Sequence, residues 1–131
     1  LHSGESVINV TGEEGSTAVL NCKLPRADTQ THIRWSTESG LVFERKGVRF
    51  IPGDGYEDRV DVPVGELHKG DCSLVLRNLQ LTDKNVYKSS YEVRVSNDTH
   101  VNREFKDISR VSLSVSEKPP EEKSDEVSTP T

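Results

Sequence analysis

The sequence predicts an all-β chain folded as a two-sheet antiparallel sandwich. Three observations lead there. Apolar residues recur with period two in short runs, turn-forming clusters separate those runs, and glycines or β-branched residues interrupt every window long enough for a helix. Roughly seven to nine short strands joined by turns, with no amphipathic helix among them, is the pattern of two stacked sheets.

The strands read in order. Ser16 to Cys22 places Ala18, Leu20 and Cys22 on one face. Thr31 to Trp35 does the same for Ile33 and Trp35, and Cys72 to Leu76 for Cys72, Leu74 and Leu76. Tyr87 to Val95 aligns Tyr87, Ser89, Tyr91, Val93 and Val95 against Lys88, Ser90, Glu92 and Arg94. Ile108 to Val115 closes the series with Val111, Leu113 and Val115 in register. Turn signals fall between them at Gly12-Glu13-Glu14-Gly15, Glu38-Ser39-Gly40, Pro52-Gly53-Asp54-Gly55 and Lys69-Gly70-Asp71.

Length and composition bound the function. At 131 residues the chain holds one domain with one core. We place that domain at residues 1–116. Residues 117–131 read as a disordered acidic, Pro-containing stalk or linker, because Val127 is their one apolar residue and burial cannot offset their ordering entropy. No run approaches the ~20 apolar residues that cross a bilayer. The net charge is −5, of which the tail carries −3 (Glu117, Lys118, Glu121, Glu122, Lys123, Asp125, Glu126). A balance of this sign disfavours nucleic acid as a partner, since phosphate binding needs a basic surface.

Chemistry-bearing motifs are sparse. His2, His32, His68 and His100 are scattered, and no nucleophile elbow, phosphate loop or short-spaced Cys/His set occurs. No enzymatic activity, cofactor or metal is expected. Two Asn-x-Thr sequons, at Asn9 and Asn97, and an even pair of cysteines favour the oxidising secretory route.

Several motifs occur in a telling order. Trp35 follows Cys22 by thirteen residues, Arg59-Val60 opens a strand, and Asp83-Lys84-Asn85-Val86-Tyr87 forms a corner sequence. Across residues 7–115 this resembles immunoglobulin superfamily V-set domains of the innate immune receptor or cell-adhesion type. In that family Trp35 would be the core tryptophan of strand C. Arg59 would pair with Asp83 across the bottom of the sandwich, and Tyr87 would be the corner tyrosine bonding back to the backbone. The segment from Val42 to Phe50 is long enough for the two extra strands of the V type. Phe105-Lys106-Asp107-Ile108 lacks the glycines that rearranged antigen receptors carry there, which makes such a receptor an unsuitable reading.

The resemblance also departs where the family's strand F cysteine should stand: Ser89 occupies that place. Cys72 lies near the start of strand E, beside strand B in one sheet, with the inward parity of Leu74. We expect a Cys22–Cys72 disulfide within that sheet, since opposed antiparallel positions bring Cα atoms to about 4.5–5.5 Å. Two buried free thiols are the alternative.

The resemblance implies recognition of another protein, itself an immunoglobulin-like domain, through the sheet of strands G, F, C, C′ and C″. On that sheet Arg34, Ser36, Glu44, Lys46, Lys88, Ser90, Glu92 and Arg94 should point outward, and their mixed signs permit homophilic pairing as well. The segment from Ser96 to Lys106 should form a long polar F–G loop bearing the Asn97 sequon. The implied setting is the extracellular side of the plasma membrane, anchored by a transmembrane segment beyond Thr131. A secreted decoy or soluble ligand, and a purely structural spacer, are the alternatives.

Overall fold

The computed structural model describes residues 6–25, 31–96 and 100–119. Strands run in chain order as β1 (Ile8–Glu13), β2 (Ala18–Leu20), β3 (His32–Thr37), β4 (Gly40–Lys46), β5 (Arg49–Pro52) and β6 (Val60–Asp61). After one helical turn, α1 (Val64–Leu67), come β7 (Leu74–Leu76), a 3-10 turn (Leu81–Asp83), β8 (Asn85–Ser96) and β9 (Val101–Ser116). They form a six-stranded sheet ordered β1-β9-β8-β3-β4-β5 and a three-stranded sheet ordered β2-β7-β6. All pairings are antiparallel except β1 with β9, whose Ile8 lies opposite Val111 and Glu13 opposite Ser116.

The core is the set of inward positions that the period-two pattern marks. Leu20, Leu74 and Leu76 of the smaller sheet meet Ile33, Trp35, Tyr87, Val111 and Leu113 of the larger one. Trp35 is fully buried, and its indole N–H donates to the Cys72 carbonyl at 3.0 Å, so the largest core side chain leaves no polar atom unpaired. Short alternating runs make strands here because each can bury one face and wet the other.

Cys22 and Cys72 are joined by a disulfide, with Cα atoms 4.9 Å apart just beyond the β2–β7 pairing. Ser89 lies opposite Trp35 and is buried. Its hydroxyl bonds that of Ser109 at 2.7 Å, and Ser109 donates onward to the Asn21 carbonyl at 3.1 Å. A hydroxyl chain therefore ties the two sheets together where the family resemblance would place sulfur.

The corner before β8 is polar and closed. Arg59 donates to both carboxylate oxygens of the buried Asp83, at 2.9 and 3.0 Å. Asp83 also accepts the Gln80 N–H at 2.8 Å, and its carbonyl accepts the Tyr87 hydroxyl at 2.5 Å. The hydrogen bond to Asp83 raises the Arg59 pKa above its ordinary value. Burial, more than the bond from Tyr56, pushes the Tyr87 phenol up and keeps it a donor.

Three features differ from the sequence reading. The F–G connection is not a long loop from Ser96 to Lys106: β8 runs to Ser96 and β9 begins at Val101, because their hairpin pairing continues to Ser96–Val101. The one-turn helix α1 fills the connection between β6 and β7 and buries Leu67. Ser90 points outward, as its parity requires, but is only 6% exposed. It is a short side chain flanked in register by Arg34 and Asp107, whose longer chains stand on either side.

Candidate protein-docking face

The outer face of the six-stranded sheet is set by strand alternation. Since Ile33 and Trp35 point into the core, His32, Arg34 and Ser36 of β3 point away from it. Register then assigns their neighbours. Glu44 and Ser90 flank Arg34, Lys46 stands beside His32, and Lys88 beside Ser36. One strand further out, Arg49 lies beside Lys46 and Ile51 beside Glu44. On β9, Arg103, Phe105, Asp107 and Arg110 oppose Arg94, Glu92, Ser90 and Lys88.

At the centre sits His32. Its Nε2 meets the Glu44 carboxylate and its Nδ1 lies 3.2 Å from Glu92 Oε1. Donation to both carboxylates at once needs protons on both ring nitrogens. The ring also packs edge-on against Phe105, with centroids 5.1 Å apart. The Arg34 guanidinium lies 3.8 Å over the same phenyl ring while its Nε reaches Glu44 at 3.5 Å. Arg103 approaches Glu92 at 3.8 Å, and Lys88 approaches Asp107 at 4.0 Å. Glu44 and Glu92, with side chains 21% and 17% exposed, are thus engaged within the face.

The charge on this face is unequal. Arg34, Lys46, Arg49, Lys88, Arg94, Arg103 and Arg110 stand against Glu44, Glu92 and Asp107. Lys46, Arg49 and Arg94 are exposed and make no ion pair among the described residues. The chain as a whole is −5, so this face is locally basic on a chain of negative net charge.

Arg34, Ser36, Glu44, Lys46, Lys88, Glu92 and Arg94 share this face, and Ser90 lies in its floor. Asn9 is exposed on β1 at one edge of the sheet, and Asn97 lies outside the described residues. His32, Phe105, Arg103 and Arg49 belong to the face as well and were not singled out from the sequence. His32 could have been found, since it shares parity with Arg34. Phe105 could not, because β9 carries an extra residue: Ser89 opposes Ser109 but Ser90 opposes Asp107. This bulge at Ile108 reverses the alternation, so Phe105 faces out although Ser109, Val111 and Leu113 face in.

On the opposite side of β4, Arg45 is a buried cation. It pairs with Asp61 at 2.8 Å and lies near the rings of Phe43 and Phe50, 5.6 and 5.2 Å from their centroids. This side chain closes the end of the sandwich behind β5 and takes no part in the outer face.

No family model matches the chain, and no curated protein matches it either. Solved structures do match in fold. The human B7-H4 IgV-like domain superposes with a TM-score of 0.62 at 21% identity, covering 86% of this chain and 96% of that one. Tim-4 in complex with phosphatidylserine gives 0.59 at 19% identity, over 84% and 99% of the two chains. The CD2-binding domain of CD58 gives 0.57 at 16% identity, over 84% and 54%. The chain has the V-type immunoglobulin fold, with β8, β9, β3, β4 and β5 as the sheet that carries the charged outer face.

Proposed function

We propose that this domain is an extracellular recognition module of a cell-surface receptor, and that it binds another protein through the outer face of β9, β8, β3, β4 and β5. The observation that carries this reading is the organisation of that face. Side chains from four strands interlock around His32 and Phe105, so the surface is held in one arrangement before any partner arrives. Preorganisation of this kind lowers the entropic cost of docking. A flat, polar patch suits a protein interface of small to standard size.

Placement supports the same reading. β9 begins at the hairpin tip and ends at Ser116 beside Glu13, so a stalk following the last strand would leave from the far end of the sheet. The disulfide fits an oxidising compartment, and Asn9 is an exposed acceptor at the sheet edge, where a glycan would frame the face without covering its centre. Membrane anchorage and glycosylation at Asn9 and Asn97 are parts of this proposal.

A glycan wedge tests it. Lys88→Asn creates an Asn-Ser-Ser sequon in the middle of the face, and Glu14→Asn creates an Asn-Gly-Ser sequon in the turn after β1. Fluorescent tetramers of each, made in secretory cells, should behave oppositely on cells that bind the parent: Lys88→Asn loses staining and Glu14→Asn keeps it. Undiminished staining by fully glycosylated Lys88→Asn would refute the face.

A further inference from the structure

The charge arrangement of the docking face says what kind of surface it fits. We infer that its partner is an acidic protein surface, not a second copy of this chain; the inference rests on the docking role proposed above. Glu44, Glu92 and Asp107 are the face's acidic groups; Glu44 is engaged by His32 and Arg34 and Glu92 by His32 and Arg103, while the exposed Asp107 has Lys88 4.0 Å away. What the face offers outward is therefore Lys46 and Arg49 at one side and Arg94 at the other, all exposed and without ion pairs among the described residues.

Self-pairing fails on the same grounds. In a two-fold face-to-face dimer the unengaged cations of one copy meet those of the other, and Asp107 is the one well-exposed carboxylate of the face left to receive them. Like charges brought together across a desolvated interface cost several kcal/mol, which is enough to reject that partner.

The geometry favours a protein over a polyanion or an anionic membrane. Neighbouring strands are ~4.8 Å apart, and Arg94 stands two residues beyond the level of His32 and Lys46. The backbones at Lys46 and Arg49 therefore lie roughly 12–16 Å from that at Arg94, a spread that suits several carboxylates on one folded surface better than a single headgroup or phosphate. Between those cations runs β3 with His32 and Arg34, on which the Phe105 ring packs from β9, a centre that an apolar or aromatic partner side chain can meet. Ile51, 59% exposed beside Glu44, adds an apolar contact at the β5 edge. Anionic bulk surfaces also repel a chain whose total charge is −5, whereas a local acidic patch on a folded partner need only match the face.

The test is an NMR titration of the full chain with three probes: a peptide of eight glutamates, vesicles containing phosphatidylserine, and a tenfold rise in the protein's own concentration. The acidic peptide should move the amide signals of Lys46, Arg49, Arg94 and their strand neighbours. Its affinity should weaken about tenfold between 50 and 300 mM salt as exposed charges are screened. Lys46→Glu/Arg49→Glu/Arg94→Glu, whose sites all lie outside the core, should abolish those shifts and leave the rest of the spectrum in place. Shifts that are absent, that map elsewhere or that survive the triple reversal would overturn the inference. So would tighter binding of the vesicles at the same residues, or self-association that perturbs this face. A face that ignored the acidic peptide while Lys88→Asn still abolished cell staining would remove the acidic partner and keep the docking role. If that wedge variant stained normally, the docking role itself would fall.

Discussion

Asp83→Asn isolates what the polar corner contributes, because it removes one charge while hardly changing volume. The buried carboxylate accepts two N–H groups of Arg59 and the backbone N–H of Gln80. Asparagine keeps one acceptor oxygen and puts an NH2 group where the other stood, so a donor must face a donor. The loss comprises one charge-assisted hydrogen bond, about 1.5–3 kcal/mol, and the cost of a buried donor left unpaired, about 1–3 kcal/mol. Part is offset, since Arg59 keeps the carbonyls of Arg77, Asn78 and Gly55 at 3.2, 3.1 and 3.1 Å. The net should fall near the bottom of the range for breaking a buried pair, about 3 kcal/mol. At about 4 °C per kcal/mol this lowers Tm by roughly 12 °C.

Urea unfolding followed by the fluorescence of Trp35, the single tryptophan, measures it directly. The midpoint should drop with the slope unchanged, the mark of a stability change without altered compactness. Arg59→Met and the double variant complete a cycle whose coupling should exceed about 1.5 kcal/mol. A loss below about 1 kcal/mol for Asp83→Asn, or a coupling near zero, would refute the view that this pair holds the corner.

Replacing Cys22 and Cys72 together by alanine opens a loop with a sequence separation of 50, which should cost about 4 kcal/mol on the chain-entropy account and show as a lower urea midpoint. Gly53→Ala would set a Cβ 1.7 Å from the Leu41 carbonyl oxygen, a backbone atom that cannot rotate aside. A loss of about 1–3 kcal/mol is expected, read by thermal unfolding. Tyr87 adds an alkaline limit. Its phenol is raised in the folded state, so its contribution is complete below the unfolded value near 10 and is lost as pH rises above it. Stability should fall by up to about 1.4 kcal/mol per pH unit from this group above pH 10, and Tyr87→Phe should remove that part of the slope.

The inward pattern was legible because burial has period two in a strand, and Leu20, Ile33, Trp35, Leu74, Leu76, Tyr87, Val111 and Leu113 all obey it. Strand ends were less so. The hairpin of β8 and β9 continues through the polar stretch from Val101 to Lys106, whose pairing is carried by backbone hydrogen bonds that composition does not encode. Outward positions on β3, β4 and β8 followed from parity, yet their exposure did not: Ser90 has the right parity and lies beneath its neighbours. The balance of charge was also hidden. Glu44 and Glu92 look like free acidic groups in the sequence, and only the cross-strand register shows that His32, Arg34 and Arg103 engage them.

The bulge in β9 links the unusual core to the docking face. Ser89 stands where the family resemblance expects sulfur, and its hydroxyl holds that of Ser109, the last inward residue before the irregularity. One residue earlier in the chain, Ile108 is the unpaired position of the ladder, partly buried against the core, and beyond it Phe105 stands opposite Glu92 on the outside under Arg34. Removing Ile108 should restore strict alternation with the partners unchanged, Asp107 opposite Ser90 and Phe105 opposite Glu92, so that Phe105 stays outside under Arg34. The phenyl ring then still shields the guanidinium. Side-chain protons of Arg34, expected upfield in the parent because the ring lies 3.8 Å away, should stay displaced in the Ile108 deletion and return to ordinary positions in Phe105→Ala. If the deletion folded and lost the displaced Arg34 signals, the strand would have slipped by one residue and the outward place of Phe105 would depend on the bulge. Retention in the deletion together with loss in Phe105→Ala would show that cross-strand register with Ser90 and Glu92, rather than the extra residue, holds Phe105 in the wall of the recognition surface.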